Sequence, residues 1–261
     1  IAAGARRIEV ASFVNPKKVP QMADAEAVVE QLGRVDGVTR IGLVLNARGA
    51  ERALATGLDQ LGAVAVASDE FGARNQGQTS AESVAVAARI LAMAQAAGIT
   101  AQVTIATAFG CPFTGAVDPA RVVAMARELA AAGPVEIALA DTIGVAVPAE
   151  VSALVCAVRQ AVAPLPVRVH FHNTRGTGIA NVWAAVEAGA GVVDGSIGGL
   201  GGCPFAPGAA GNVASEDVVY LLERSGVTTG LELARLVDTA RWLGGVMGKE
   251  MPSMLARAGA P

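Results

Sequence analysis

Short β-rich runs alternate with longer Ala-rich amphipathic runs along almost all of this 261-residue chain. That alternation is the pattern of βα units, in which helices cover a parallel sheet. Strands are expected at 7–13, 41–45, 64–68, 102–107, 135–140, 167–171 and 191–196. Helices are expected at about 20–33, 47–61, 79–97, 118–132, 147–162, 176–189, 214–225 and 230–247, from their 3.6-residue apolar period. Thr79-Ser80-Ala81-Glu82 has the form of a capping box, Asp118-Pro119 puts proline in a first helical turn, and Gly33, Gly62, Gly98, Gly133 and Gly189 are placed just past helix ends. An open nucleotide-binding sheet would need Gly-x-Gly-x-x-Gly after its first strand, and Ala11-Ser12-Phe13-Val14-Asn15-Pro16 has no such run. Seven units are one short of a closed barrel, so the expected fold is α/β, a TIM-type (β/α)8 barrel whose first strand is missing from this sequence. With no low-complexity linker, residues 1–261 read as a single barrel domain, its C-terminal helices (about 214–261) packing beneath or beside it.

Composition narrows the function classes. Aromatic residues are 3% of the chain and the net charge is −3, which gives neither stacking platforms nor a basic footprint for nucleic acid. Charged or Gly-rich breaks interrupt every apolar run before the roughly 20 residues of a membrane span, so no membrane partner is expected. Three widely spaced cysteines, Cys111, Cys156 and Cys203, fit a reducing, cytoplasmic setting with at least one thiol free for chemistry. Cys156, in mid-helix, is expected in the core. The chain opens on Ile1 with no basic region ahead of an apolar stretch, so no secretory leader is read and the sequence is expected to begin partway into a longer protein.

In a parallel barrel, chemistry gathers at the C-terminal ends of the strands. His170-Phe171-His172 closes the sixth expected strand, and an i, i+2 pair aims both imidazoles to one side, as half of a metal site or as a hydrogen-bonded pair. Glu9 is expected on the same face as Arg7, Ala11 and Phe13, either lining the site or paired with Arg7 or another strand's arginine. Asp141 either lines the site or caps the turn that begins at Thr142. After the last strand comes a loop with glycine at 198, 199, 201, 202, 208 and 211, which permits close approach to a ligand and places Cys203 beside it. Such a loop also suits a sugar phosphate. The three lysines, Lys17, Lys18 and Lys249, lie outside every expected strand, so an imine-forming barrel lysine is absent and carbon–carbon chemistry would be metal-assisted.

The segment Ile8-Glu9-Val10-Ala11-Ser12-Phe13-Val14-Asn15-Pro16-Lys17-Lys18-Val19-Pro20-Gln21-Met22-Ala23-Asp24 resembles the 3-hydroxy-3-methylglutaryl-CoA lyase family, within the wider group of metal-dependent barrel lyases and synthases. So do Gly110-Cys111-Pro112-Phe113, Asp141-Thr142-Ile143-Gly144-Val145 and the stretch from Gly199 to Asp217. The resemblance implies that His170, His172 and Asn212 are metal ligands for Mg²⁺ or Mn²⁺, and that Cys203 is the catalytic thiol, with Glu9 and Asp141 in the site. It also implies an acyl-CoA substrate and a homodimer. An Arg-Asp pair on the family's first strand, its Asp a further ligand, is absent from this sequence. Where the lyases read Asp-Thr-Tyr-Gly, this chain reads Asn173-Thr174-Arg175-Gly176. Arg175 is therefore expected to bind substrate, together with Asn46 and Ser68, and citramalyl-CoA or longer branched 3-hydroxy-acyl-CoAs join the expected substrates.

Overall fold

A computed structural model describes residues 1–201 and 211–259. Seven parallel strands lie side by side in chain order: β1 (Arg7–Ser12), β2 (Thr39–Val44), β3 (Gln60–Val66), β4 (Thr100–Ala106), β5 (Ile137–Asp141), β6 (Val167–Phe171) and β7 (Val192–Asp194). The helices are α1 (Ala25–Leu32), α2 (Ala47–Leu54), α3 (Asp69–Asn75), α4 (Ser80–Ala96), α5 (Pro119–Ala130), α6 (Pro148–Val162), α7 (Gly178–Glu187), α8 (Ser215–Arg224), α9 (Leu233–Met247) and α10 (Met254–Ala258).

One contact shows that this sheet curls. Arg7 on β1 donates to Glu136, beside β5, at 2.9 and 3.0 Å. In a flat sheet those strands would lie four spacings of about 4.8 Å, roughly 19 Å, apart, beyond the reach of an arginine. The seven-stranded parallel barrel wall read from the sequence is therefore present. Among the described residues it is open between β1 and β7.

Alternation divides the strands into two faces. Outward, Leu61, Ala63, Val103, Ile105, Ile137, Leu139, Val167, Val169 and Phe171 join the core formed with α4, α5 and α6. Inward, Gly62, Ala106, Ala138 and Ala140 are small, and the space they leave takes Gln102, Arg168 and His170. The C-terminal helices extend the wall. Ala3, Val219 and Leu236 form a separate small core, and the Ala3 carbonyl accepts from Glu232 N–H.

Several sequence expectations need correction. The helix placed at 47–61 stops at Leu54, because Gly57 takes φ 71° and the chain then enters β3 at Gln60. Gly62 therefore lies inside a strand and caps no helix. Helix α3 was not expected; Ser68 caps it by accepting from Phe71 N–H. Cys156 is exposed, since the buried stripe of α6 runs through Val151, Leu154, Val155, Val158 and Val162 and passes it by. Finally, β1 carries a bulge: Glu9 pairs with Ile41, but Ala11 pairs with Gly42. Two residues against one reverse the alternation. Glu9 stays on the inner face, whereas Ala11 and Phe13 turn outward, where Phe13 packs 1% exposed beneath Arg52.

Candidate active site

The mouth of the barrel, where β6 ends, carries the histidines. His170 and His172 share the inner face with ring centroids 5.2 Å apart, edge to face. The strand then makes one more backbone exchange. Asn173 N–H donates to Gly211 O at 3.1 Å, and Val213 N–H donates to Phe171 O at 3.0 Å. His172 and Asn212 are thereby paired across an antiparallel bridge. A Cβ on Gly211 would collide with the Gly199 carbonyl, so glycine is needed for the returning chain to come this close. The Asn212 Nδ2 donates to Leu200 O at 3.0 Å, which fixes the amide orientation and leaves Oδ1 as its acceptor atom, without a bond among the described residues.

His170 is held from behind. Its register partner on β7 is Asp194, whose Oδ1 lies 2.5 Å from Nδ1. The other Asp194 oxygen accepts from Arg168 Nη1, and Arg168 in turn donates to Glu136 at 2.8 Å and Thr104 at 2.9 Å. Burial alone would raise the Asp194 carboxyl, but His170 and Arg168 outweigh it and hold the group far below the usual carboxylate range. For His170, burial favours the neutral ring, and the Asp194 charge more than offsets this, shifting it upward. An ionised carboxylate only accepts, so Nδ1 carries the proton and Nε2 of the neutral ring presents its lone pair.

Glu9 lies on the opposite part of the inner wall, within electrostatic reach of Arg168, His170 and Asp194. Burial by surrounding protein pushes its carboxyl above the ordinary value, against the pull of Arg168, although part of the side chain is exposed among the described residues. A cavity of about 300 Å³ opens on that side, lined by Ile8, Glu9, Val10, Leu32 and Arg40 among others. Glu9 is not paired with Arg7, which bonds to Glu136, Gln60 and Gln102.

The structure does not bring Asp141 to the imidazoles. It pairs in register with Phe171, on the outward face, and its two oxygens accept from Val145 N–H and Ala146 N–H at 3.0 Å each. Burial raises this carboxyl, against those amides and the Arg175 charge. The turn it closes offers the Ile143 and Gly144 carbonyls to Arg175 Nη1, at 2.9 and 3.0 Å. Arg175 is exposed at the mouth, two residues beyond the Asn173 bridge bond. Asn46 and Ser68 also sit at strand C-terminal ends, but each caps a helix: Asn46 accepts from Gly49 N–H at 2.9 Å, and buried Ser68 also donates to Cys111 Sγ at 3.0 Å. Cys203 lies outside the described residues.

Sequence reading overlooked Arg168, Asp194 and Glu136. Arg168 was visible in principle, as the residue two before His170 on the same strand face. Asp194 and Glu136 become meaningful only once register places them beside it.

The donor set fits a divalent cation. Among the described residues, no three His, Cys, Asp or Glu side chains converge as a metal site. What the strand ends bring to one face is two imidazoles and, across the His172–Asn212 bridge, an amide, a mixed N/O set without thiolate that differs from closed structural zinc sites. The Asp194–His170 bond is the outer-shell support that metal-bound histidines ordinarily have.

The HMGL-like family profile matches residues 1–243. The chain belongs to the HMGL-like family. It is 42% identical over 269 residues to the (R)-citramalyl-CoA lyase of Chloroflexus aurantiacus, covering 99% of this chain and 85% of that protein. A 3-hydroxy-3-isohexenylglutaryl-CoA/hydroxy-methylglutaryl-CoA lyase of Pseudomonas aeruginosa is 40% identical over 257 residues, covering 98% and 86%. The structure of an HMG-CoA lyase from Acinetobacter baumannii, in complex with coenzyme A and 3-methylmalate, superposes with TM-score 0.94 at 40% identity, covering 99% of this chain and 84% of that one. This HMGL-like chain is accordingly a carbon–carbon lyase, and the resemblance carried by its motifs is borne out.

Proposed function

We propose that the protein cleaves 3-hydroxy-3-methylglutaryl-CoA to acetyl-CoA and acetoacetate by retro-Claisen chemistry, with a divalent cation, Mg²⁺ or Mn²⁺, held by His170, His172 and Asn212. The observation that carries this is the His170–His172 ring pair at the barrel mouth with Asn212 bridged to His172, in a chain about 40% identical to acyl-CoA lyases. When bound, the cation lowers the pKa of the substrate's tertiary hydroxyl and orients the reacting end.

The side chains divide the remaining work. Asp194 is committed to Arg168 and His170, and Glu136 to Arg7 and Arg168, so among the described inner-wall carboxylates Glu9 is the one left to take the hydroxyl proton. As the C2–C3 bond breaks, the electron pair moves into the thioester enolate of acetyl-CoA. Cys203 then protonates that carbon as general acid. Arg175, steadied by two carbonyls, keeps donors for the substrate's terminal carboxylate.

Arg175 also favours a second reading, citramalyl-CoA, whose carboxylate sits one methylene closer to the hydroxyl carbon, and the Chloroflexus relative acts on that compound. Product analysis separates the two: acetoacetate marks the first substrate and pyruvate the second. The reading fails if neither thioester yields acetyl-CoA in the presence of Mg²⁺ or Mn²⁺.

A further inference from the structure

An unbroken line of charged groups runs up the inside of the barrel. It starts at Arg7, near the N-terminal ends of the strands, and passes through Glu136, Arg168 and Asp194 to His170 at the mouth. The side chains of Glu136 and Arg168 are 3% and 9% exposed, so screening by solvent is slight there, and the line opens toward the mouth, where Asp194 and His170 are 31% and 26% exposed. Arg168 is the junction: Nε bonds Glu136, Nη1 bonds Asp194 and Nη2 bonds Thr104. A planar fork with three fixed partners has a defined position, and Asp194 inherits it. Small neighbours are what let an arginine lie here, since its register partner on β5 is Ala138.

We propose that Asp194 and Arg168 are positioning residues for His170: Asp194 fixes the ring with Nδ1 protonated and Nε2 turned to the mouth, and Arg168 holds Asp194 in register for that bond. The proposal rests on the reading of His170 as a metal ligand only for its effect on affinity. Its statement about the ring stands on the hydrogen bonds. Neither residue touches substrate. Their influence passes through the imidazole.

Asp194→Asn tests this sharply because Arg168 keeps the amide from mimicking the acid. Arg168 only donates, so the Asn oxygen must face it, which turns the Asn NH₂ toward His170 Nδ1. The ring then accepts at Nδ1, and its proton moves to Nε2. Residues 1–261 contribute 2 histidine rings to a ¹⁵N-histidine NMR spectrum of the metal-free protein, and the signals lost in His170→Gln identify His170. In alkaline buffer, where both rings are neutral, the wild type should show His170 protonated at Nδ1 and the variant should show it protonated at Nε2. The Mn²⁺ dissociation constant, read by titration calorimetry, should rise about 10–100-fold. An Asp194→Asn protein whose His170 stays protonated at Nδ1 overturns the proposal. If that variant does not fold, Arg168→Lys keeps the charge but loses the fork. It should weaken Mn²⁺ and broaden or split the His170 signals, and wild-type values for both would equally overturn the proposal. A tautomer swap with no Mn²⁺ bound by either protein supports the positioning role and removes the metal reading instead.

Discussion

His172 and Asn212 face each other as a non-hydrogen-bonded antiparallel pair, flanked by the Asn173–Gly211 and Phe171–Val213 backbone bonds. In such a pair the Cα atoms approach to about 4.5 Å and the side chains lean to one side. Backbone bonds thus set the placement of the two residues, and the Asn212 amide is further oriented by its bond to Leu200 O. Asn212→Ala should therefore fold normally while losing one donor. Its Mn²⁺ affinity is expected to fall by at least about 10-fold, the lower end for losses of supporting groups, with the metal-free protein destabilised only by the lost bond to Leu200 O, about 1 kcal/mol. Unchanged affinity would remove Asn212 from the ligand set.

Cys203 is assigned a different role, and its substitution should look different. Cys203→Ser is expected to lower kcat by about 10²–10⁴ while leaving Mn²⁺ affinity intact, because in the proposed reaction the thiol moves a proton and is not a metal ligand. Near-wild-type turnover in that variant would end the general-acid assignment.

The wall behind the site depends on outward apolar packing. Phe171 lies between the two histidines in sequence and on the opposite face, fully buried and 6.0 Å from the Phe109 ring centroid. Phe171→Ala should cost about 3–5 kcal/mol of stability, measured by urea denaturation. A loss below about 1 kcal/mol would mean the wall tolerates a cavity there, contrary to close packing.

Below the site, Asp59 receives the Arg40 guanidinium at 2.9 Å and the Arg40 backbone amide at 2.9 Å. Partial burial opposes ionisation, but these contacts outweigh it and hold Asp59 below its ordinary 3.8. A carboxyl with a depressed folded-state pKa contributes stability above its unfolded value, and that contribution is lost as pH falls through the folded value. Wild type should thus be more stable than Asp59→Asn at neutral pH, with the difference vanishing in strong acid. A difference that is constant with pH would contradict the pairing.

Much of the architecture was legible because period-2 and period-3.6 patterns are local. The capping box at Thr79 and Glu82 and the proline start at Pro119 are both present, since each needs only neighbours in sequence. The start of β3 was hidden because Gln60 and Gly62 face an interior of polar and small groups, so the apolar run of that strand begins only at Ala63. The bulge in β1 was hidden because it is a property of pairing, and it turned Phe13 outward. The same limit applies to the site. His170 and His172 announce themselves two residues apart, whereas the carboxylate that holds His170 lies 24 residues on and is found only through register. Asp141, two residues from the Ile143 carbonyl that holds Arg175, proves to be the anchor of that turn, on the face away from the imidazoles.

The central claim is cation-dependent cleavage at the His170–His172–Asn212 mouth. Its most direct test is release of acetyl-CoA from 3-hydroxy-3-methylglutaryl-CoA and from citramalyl-CoA by the intact natural polypeptide, with and without chelator. Turnover of at least one thioester, abolished by chelation and restored by Mg²⁺ or Mn²⁺ in the wild type but not in His172→Ala, is the predicted result. Turnover that survives chelation, or that His172→Ala retains in full, would contradict it.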